Sequence, residues 1–403
     1  MMKIFLWGLV EEDSVKNMKL TIWGKHIASA LVSVSFAVLL GLIVYWMVFN
    51  IHTDPAPKVG ESAEVNVNIS SRLDMYYTNE RIEALSGYLS GDDVIHKIYR
   101  IEDGMSVPVP KESNYGVVSP DDLGPLLDVI DEAKKCGLID LDELKFNQDI
   151  EFPDYSTISY YFDDSILVII WKELIDGHEI TFSEIKIGDA SQFRRKLAGD
   201  NYGSGVQYYC TELTSQANAV VGINADFYSF RSLGTTCYDG TIYRTDDTLD
   251  TLFIDSNGDF QFLERGNGMN KDELQSYADL MNVMFSVSFG PILIKDGELL
   301  TNNTYPIGEV DTNYSRAGIG QLGPLHYLYM TIGFNGRGSK TCTVNEFAQY
   351  MFDKGVVNGY NLDGGQTGEI VMNAIIQNHV DFGYERPVSD IIYFATAVPE
   401  EEQ

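Results

Sequence analysis

The chain has 403 residues, of which 44% are hydrophobic and 12% aromatic, enough to bury a sizeable core. Asp and Glu number 59 against 28 Lys and Arg, which gives a formal net charge of −31. Because nucleic-acid binding depends on basic residues that neutralise phosphates, so acidic a chain is expected to bind no nucleic acid. No long block of one sign concentrates the charge, which indicates a solvated acidic surface.

A hydrophobic segment near the N-terminus predicts a transmembrane helix. Residues 27–49 contain no charged side chain and would span about 34 Å as a helix, against a hydrocarbon thickness of about 30 Å. Tyr45 and Trp46, near its end, are typical of a membrane interface. A cleaved signal peptide is the alternative. The length of the segment and the bulky residues at its end favour an uncleaved anchor.

The basic residues around this segment predict its orientation. Four lysines precede it and one soon follows it: Lys3, Lys16, Lys19, Lys25 and Lys58. By the positive-inside rule the N-terminus is cytoplasmic and the C-terminal domain extracellular. The sequence therefore predicts a single-pass protein of the cell membrane.

Composition and pattern divide the chain into five predicted segments. They are a cytoplasmic N-terminal segment 1–26, the transmembrane helix 27–49, a polar linker 50–69, an adapter region 70–155 and a main domain 156–398. In the adapter region, "SPDDLGPLLDVIDEAKKCG" has acids at its start, lysines at its end and a terminal glycine, which together predict a helix.

Strand patterns dominate the main domain. The run "STISYYFDDSILVIIWKEL" is rich in β-branched and aromatic residues, and "TLFIDSNGDFQFL" and "FGPILIKDGELL" have the strand, turn, strand pattern of hairpins. One clear helix is predicted in "TVNEFAQYMFDKG", where Thr343 and Glu346 form a capping box ahead of an apolar stripe of Val344, Phe347, Ala348, Met351 and Phe352. The expected fold class is α+β, with mixed, largely antiparallel sheets and flanking helices.

The stretch "NLDGGQTGEIVMN", Asn361 to Asn373, follows this helix and lies between two predicted strands. Its Asp-Gly-Gly is a common turn signal, because glycine adopts positive φ at little cost. A carboxylate beside two glycine N–H groups would equally suit a binding site. The pattern alone leaves both interpretations open.

Short polar patches next to predicted strands are the remaining candidates for chemistry. They are "GINADFYSFR", "SRAGIG", "FNGRG", "NLDGG" and "YERPVSD", and strand ends commonly present functional side chains. Taken singly, the arginines fit structural salt bridges, and Asp226 and Asp363 fit turns or helix caps.

In their order along the chain, these patches resemble the motifs of the phosphodiester glycosidase family, which includes the uncovering enzyme that removes N-acetylglucosamine from a phosphodiester. The matching stretches, over about residues 160–396, are "INADFY", "GPILIKDG", "SRAGIG", "FNGRG", "NLDGGQTG" and "ERPVSD". The Asp-Phe-Tyr variant is similar to that of a bacterial, exopolysaccharide- or envelope-associated subfamily. The chain departs from the family pattern at Ala225, Asp226, Asn335, Gln366 and Thr367.

The resemblance implies roles for particular residues. Asp363 would be the carboxylate at the anomeric carbon, with Asp226 or Glu385 as its catalytic partner. Residues implied to bind the substrate are Arg316 and Arg337 at the phosphate, with Gly364, Gly365 and Thr367 lining its oxygens, Asn224 and Asn361 orienting sugar hydroxyls or carboxylates, and Asn335 and Arg386 at the matching motif positions. Retention or inversion would depend on the distance between the carboxylates.

Metal and cofactor patterns are weak. The six histidines form no His-x-His or His-x-x-x-His pair, and no Cys-x-x-Cys is present, so no metal site and no cofactor are predicted, with a divalent cation left as an open alternative. Four cysteines leave the question of disulfide pairing open.

The resemblance implies a membrane-anchored extracellular hydrolase that cleaves a sugar-1-phosphodiester in an envelope glycan or exopolysaccharide. The alternative is a non-catalytic module of the cell surface that binds phosphoglycan with the same arginines. A structural protein of surface assembly is a third interpretation. Convergence of carboxylates near the arginines would distinguish the enzyme from the binding module.

Overall fold

The computed structural model describes residues 99–102, 104–140, 143–147, 150–307, 310–334 and 340–399. The predicted segments 1–26, 27–49 and 50–69 lie outside these ranges. Within them, no helix combines the length and the hydrophobicity that a membrane span requires.

Four α-helices lie in the described residues: α1 (Gly124–Lys135), α2 (Cys210–Gln216), α3 (Lys271–Leu280) and α4 (Val344–Asp353). The sequence predicts α1 and α4, and both are confirmed. At α4 the Thr343 side chain accepts a hydrogen bond from the Glu346 N–H, as a capping box requires. The expectation for Phe352 is wrong, since it is exposed. At about 100° per residue it lies beyond the buried stripe.

The strands of the described residues, in chain order, are β1 (Tyr99–Arg100), β2 (Tyr115–Val118), β3 (Ile158–Asp163), β4 (Ile166–Ile175), β5 (His178–Ile187), β6 (Phe193–Leu197), β7 (Val221–Asn224), β8 (Thr236–Tyr238), β9 (Thr241–Arg244), β10 (Thr251–Asp255), β11 (Phe260–Leu263), β12 (Val283–Val287), β13 (Ile292–Lys295), β14 (Glu298–Leu299), β15 (Arg316–Gly323), β16 (His326–Ile332), β17 (Asn358–Leu362), β18 (Ile370–Met372), β19 (Ile375–Ile376), β20 (Asp390–Phe394) and β21 (Val398–Pro399).

These strands form one large sheet and three smaller ones. The large sheet has nine strands in the order β14-β13-β17-β15-β16-β5-β4-β3-β2. Two five-stranded sheets have the orders β11-β10-β12-β8-β9 and β19-β18-β7-β20-β6, and β1 pairs with β21. All pairings among the described strands are antiparallel. A mixed architecture of mostly antiparallel sheets with helices confirms the α+β class.

Strand β4 shows that the large sheet is covered on both faces. Successive side chains of a strand point to opposite faces. Leu167, Ile169 and Trp171 pack in one core with residues of α1 and α4. Ile166, Val168 and Ile170 pack in another, with residues of β7, β10, β12 and β20. A strand buried on both faces is continuously hydrophobic, as "ILVIIW" is.

The predicted hairpins are confirmed. Strand β10 pairs with β11, and β13 with β14. The β4–β5 hairpin turns through Asp176 and Gly177, both at positive φ (54° and 82°), which matches the twist of the flanking strands. The four cysteines form no disulfide.

Candidate active site

The loop after β17 passes from the large sheet to a smaller one. Strand β17 belongs to the nine-stranded sheet and β18 to a five-stranded sheet, so Asp363-Gly364-Gly365 is not the turn of a hairpin. Asn224, at the end of β7, donates from Nδ2 to the Asp363 carbonyl at 2.7 Å, and the Tyr329 hydroxyl donates to Asn224 Oδ1. The Asp363 peptide is therefore held where the two sheets meet.

Two glycines let this loop pack closely against the start of β15. A Cβ on Gly364 would lie 2.3 Å from the Ser315 carbonyl oxygen, and Gly365 has φ of 73°. A side chain is excluded by contact at the first position and disfavoured by backbone conformation at the second. The loop therefore requires glycine for its shape.

A pocket of about 220 Å³ opens beside the loop. Its polar lining comes from Arg316, Asn361, Asp363, Gly364, Gly365 and Asp381. On the other side of Asp363 lies a much smaller cleft lined by Asn224, Asp226, Asp363, Thr367 and Arg386. Asp363 therefore separates two cavities, and nine of the predicted site residues line one or the other.

The charge of the Asp363 carboxyl depends on opposing influences. Its side chain is 25% exposed, and Arg386 Nη2 lies 3.0 Å from Oδ2. Burial raises the pKa of Asp363, whereas Arg386, the Thr367 hydroxyl and Arg231 lower it, and the net shift is upward. Thr367, where the chain departs from the family pattern, thus acts directly on the Asp363 carboxyl.

Asp226 is buried, and both its oxygens have partners. Oδ1 accepts from the Tyr228 N–H at 2.6 Å and Oδ2 from the Ser288 N–H at 3.0 Å. Oδ2 also lies 3.4 Å from Arg195, whose guanidinium binds Asp390 at 2.5 Å. Burial raises the pKa of Asp390, and the Asp226 charge adds to the effect. Asp226 is thus part of a buried ion cluster.

Glu385 lies at the N-terminus of α2, outside both cavities. Its oxygens accept from the Thr211 N–H at 3.1 Å and the Thr211 hydroxyl at 2.8 Å. Beside it is Glu369, which is buried, with neither oxygen in a well-formed hydrogen bond among the described residues. Burial, and then the Glu385 charge, raise the pKa of Glu369 to about 9. Glu385 therefore binds the N-terminus of α2 and lies next to Glu369, whose raised pKa keeps it neutral.

Arg316 and Asn361 also line the pocket. Arg316 donates from Nε to the Cys342 carbonyl at 3.1 Å and from Nη2 to the Thr312 carbonyl at 2.6 Å. Asn361 donates from Nδ2 to the Gly290 carbonyl at 2.8 Å. Its buried Oδ1 has no partner among the described residues, so this atom is available to a ligand. Asn335 and Arg337 lie outside the described residues.

Asp381 is the second carboxylate of the pocket, and sequence reasoning missed it. Its Oδ1 accepts from the Ser315 hydroxyl at 2.7 Å and the Phe334 N–H at 3.3 Å. It begins the short 3₁₀ helix Asp381–Gly383, four residues before the "ERPVSD" motif. The sequence offered only a weak indication of Asp381, namely an acidic residue shortly before a motif that matches the family.

Arg231 also bears on Asp363, because its charge lowers the Asp363 pKa. The loop that carries it is pinned by Arg244, which donates to the carbonyls of Tyr228, Arg231, Leu233 and Gly234. Arg231 itself is exposed, with its guanidinium 5.0 Å above the Phe227 ring. Sequence reasoning noted this arginine in "GINADFYSFR" but assigned it no role.

Metal ligands are not clustered in the parts of the chain that the structure describes: no group of three or more His, Cys, Asp or Glu there could hold an ion. The pocket offers a carboxylate pair, several cationic or N–H groups and one unpartnered amide oxygen. Such a set can bind a polyol and an anion together.

Comparison with known proteins identifies the domain. Residues 217–395 match the family model described as phosphodiester glycosidase. No protein with a curated description matches the chain.

Several solved structures are similar to it, including the following three. A zebrafish N-acetylglucosamine-1-phosphodiester alpha-N-acetylglucosaminidase catalytic domain, auto-inhibited by its pro-peptide, is 16% identical, with a TM-score of 0.45 over 57% of this chain and 82% of that one. A hypothetical protein from Synechocystis is 14% identical, with a TM-score of 0.43 over 59% and 64%. A putative exported protein from Burkholderia pseudomallei is 13% identical, with a TM-score of 0.38 over 57% and 74%.

The family match covers β7, β17, β18 and β20 with the loop at Asp363, so it includes both carboxylates of the pocket. The resemblance noted in the sequence is confirmed, and it supports a glycosidase-type function. Residues 217–395 of the chain are thus similar to the phosphodiester glycosidase family.

Proposed function

We propose that this domain hydrolyses a sugar-1-phosphodiester, with Asp363 and Asp381 as its two carboxylates. The observation that carries the proposal is that both line one pocket in a domain of a glycosidase family. Glycoside hydrolysis uses a pair of carboxylates flanking the bond that breaks. A module that only binds phosphoglycan needs cations and hydroxyl partners but no carboxylate pair, and we therefore prefer the enzyme.

In the proposed reaction, water attacks the anomeric carbon, and the bond from that carbon to the phosphate oxygen breaks. The phosphate leaves as a monoester that keeps its other substituent. One carboxylate balances the positive charge that develops on the sugar, and the other takes the proton from water. A phosphate monoester is a good leaving group, so strong protonation of it is less necessary than in an ordinary glycoside.

We assign the charge-balancing role to Asp363 and the base to Asp381. The two donors that hold Asp381 both bind Oδ1. Oδ2 accepts no hydrogen bond within the described ranges and lies toward Gly365, where a Cβ would be 3.2 Å away. One oxygen is thus fixed and the other faces the pocket, as a general base requires. Asp226 fits this role less well, because both its oxygens are engaged.

The phosphate is proposed to lie near Arg386 and Arg231, which both act on Asp363. Arg386 is half exposed. Arg231 is pinned by its loop and has no ion-pair partner among the described residues. An arginine pair can bind phosphate oxygens with several charge-assisted hydrogen bonds. Arg316 is less suited to this role than predicted, because its Nε and Nη2 already donate to carbonyls.

Asn361 is proposed to bind the sugar. Asn361 Oδ1 is buried without a partner, and an unpaired buried acceptor costs roughly 1–3 kcal/mol, which a sugar hydroxyl would offset. Gly364 and Gly365 can contribute N–H groups to the phosphate oxygens, with Thr367 supporting the loop. Arg337 and Asn335 keep their proposed places at the substrate.

The location of the enzyme is part of the proposal. Residues 27–49 and the lysines before them support a membrane-anchored, single-pass protein whose catalytic domain is extracellular. There the substrate would be an envelope glycan or exopolysaccharide with sugar-1-phosphodiester links.

The test is the hydrolysis of synthetic sugar-1-phosphodiesters by the full chain and by its Asp363→Asn and Asp381→Asn variants. The reducing sugar released is the quantity measured. Each variant is expected to lower kcat/KM by about 100- to 10,000-fold. The matched control is Asp154→Asn, an exposed acid outside both cavities, which should behave as the parent does. Full activity in either site variant would remove that residue from the mechanism.

A further inference from the structure

Three exposed aromatic side chains, Phe334, Phe382 and Tyr384, belong to segments that adjoin Asp381, a residue of the pocket lining, and we call them the aromatic rim. We propose that this aromatic rim binds a further sugar ring of a polymeric glycan. The substrate class would then be a phosphodiester-linked polysaccharide rather than a small sugar phosphodiester. This inference rests on the proposed function and extends it to the part of the substrate outside the pocket.

The three rings are exposed to a degree that folding does not favour. Phe382 is 82% exposed, Tyr384 64% and Phe334 56%. Fully burying such a side chain would contribute roughly 1.5–3 kcal/mol, and none of the three gains much of this. Single exposed aromatics are ordinary, but several together at one edge of a cavity indicate a binding surface.

Each ring is tied to the pocket through the backbone. Phe382 directly follows Asp381, and the Phe334 N–H donates to Asp381 Oδ1 at 3.3 Å. The Tyr384 carbonyl accepts from Gln366 Nε2, in the Asp363 loop, at 3.4 Å. The Phe382 and Tyr384 ring centres are 6.5 Å apart with 39° between their planes. The segments that carry the rim are therefore bonded directly to residues of the candidate active site.

Phe382 also has a backbone conformation that does not suit phenylalanine. Its φ is 63° and ψ −1°, in the left-handed region that bulky residues rarely adopt. Glycine or asparagine would be favoured there by roughly 1 kcal/mol or more. Neither burial nor backbone preference accounts for an aromatic residue at this position. Contact with a bound glycan would account for it.

The size of the pocket indicates where that partner continues. Pockets for whole small molecules commonly measure roughly 300–1,000 Å³, whereas this one measures about 220 Å³, room for a single sugar ring. The next part of a glycan would lie outside the pocket, and we place it on the aromatic side chains that follow Asp381 in the chain. This continuity with the pocket selects the glycan as the occupant.

The chemistry of the rim also fits a sugar better than a membrane surface. A sugar ring can place its C–H face on an aromatic ring, whose face is electron-rich, and keep its hydroxyls in water. Anionic lipid surfaces instead attract basic segments, and residues 381–385, which carry Phe382 and Tyr384, include no lysine or arginine. We therefore commit to a glycan and treat a lipid surface as an outcome of the test.

Binding, rather than turnover, is the direct measurement. The full chain with Asp363→Asn, which prevents cleavage, is titrated with synthetic hexosamine-1-phosphodiester oligomers of increasing length. Affinity is expected to rise with the second repeat. With Phe382→Ala and Tyr384→Ala added, the increase in affinity from one repeat to two should be smaller by a factor of about ten or more. The affinity for the single repeat should stay unchanged. Leu280→Ala, at another exposed hydrophobic side chain, is the control.

The outcomes separate the rim from the proposed activity. Equal length dependence with and without the two aromatic side chains would overturn the rim proposal, whether or not the parent hydrolyses the oligomers. Length-dependent binding that needs the rim, in a parent that cleaves none of them, would keep the rim and reject the hydrolase. Vesicle binding is measured with Leu39→Arg and Leu40→Arg also present, so that residues 27–49 do not insert. Loss of binding to phosphatidylglycerol vesicles in the Phe382→Ala/Tyr384→Ala variant, with oligomer binding intact, would assign the rim to a membrane surface and overturn the proposal.

Discussion

The Asp363 carboxyl shows how residues on different elements set one charge. Burial favours its neutral form, and Arg386, Thr367 and Arg231 favour the carboxylate. The sequence could predict Asp363 because a motif carries it. It could not predict Asp381, because a short 3₁₀ turn brings that carboxylate into the pocket. Nor could it show that Glu385 meets Thr211, which is 174 residues away in the chain.

Arg386→Gln tests this charge balance. Removing a cation 3.0 Å from the carboxylate disfavours the charged form, so the pKa of Asp363 should rise further. If catalysis needs the Asp363 carboxylate, the acidic limb of the kcat/KM pH profile should move to higher pH. Arg194→Gln is the control, since Arg194, on β6, donates to the Ser191 carbonyl and lines neither cavity. An unmoved acidic limb would contradict the assignment.

Glu369→Gln tests the buried acid next to Glu385. In the folded chain the pKa of Glu369 is raised from 4.5 to about 9, so the folded state keeps a proton that the unfolded state loses. The free energy of unfolding should therefore decrease as pH rises from about 4.5 to about 9. Glutamine removes this dependence and should stabilise the protein by about 1–3 kcal/mol at pH 8.

Urea unfolding at pH 5 and pH 8 measures the effect of Glu369→Gln. The control is Glu298→Gln at an exposed position on β14, which should leave the pH dependence as it is. If the parent and Glu369→Gln lose the same stability between the two pH values, Glu369 is not the buried acid responsible.

At the scale of elements, the sequence predicted those helices and hairpins that are determined by interactions between residues close in the chain. The Thr343 capping box starts α4, and the hairpins β10–β11 and β13–β14 form at their turn signals. Helix α3 was missed although Asn270 and Glu273 form a capping box, because its apolar stripe is sparse. The path of the Asp363 loop between two sheets depends on long-range pairing, which no local pattern records.

Gly364→Ala tests the fit of that loop. The new Cβ would meet the Ser315 carbonyl oxygen at 2.3 Å, so the loop must move and carry Asp363 with it. Misplacing a catalytic group by about 1 Å can cost about 100-fold in rate, and overpacking costs roughly 1–3 kcal/mol of stability. Gly323→Ala, with no neighbour within 4 Å of its Cβ, is the control. A Gly364→Ala enzyme at full rate would show that the close approach is unnecessary.

At the scale of the molecule, a large sheet with two buried faces organises the fold. The expectation that the chain binds no nucleic acid, which rests on its net charge of −31, stays a prediction. The α+β class could be predicted because strand and turn patterns recur through the main domain. Sheet order could not, since neighbours such as β2 and β3, or β7 and β20, are selected by packing of distant segments. The boundaries at 69, 155 and 398 stay predictions.

Membrane anchoring belongs to this scale. The full chain is expected in the membrane fraction after alkaline carbonate washing, with its C-terminus cleaved by protease added to intact cells. Replacing Leu39 and Leu40 by arginine should release it, because each charge at a span centre costs roughly 2.5–3.5 kcal/mol. The same two leucines replaced by alanine provide the control. Equal fractionation of all three chains would exclude residues 27–49 as the anchor.

The bond from Asn224 to the Asp363 carbonyl joins residues 139 positions apart, and it fastens the site where two sheets end. Neither sheet alone can hold the carboxylate in place, so hydrolysis should begin only after both have assembled. A chain that is still being synthesised or is crossing a membrane would therefore have no hydrolytic activity. The rate at which activity recovers after denaturation should therefore report the rate of the last folding step.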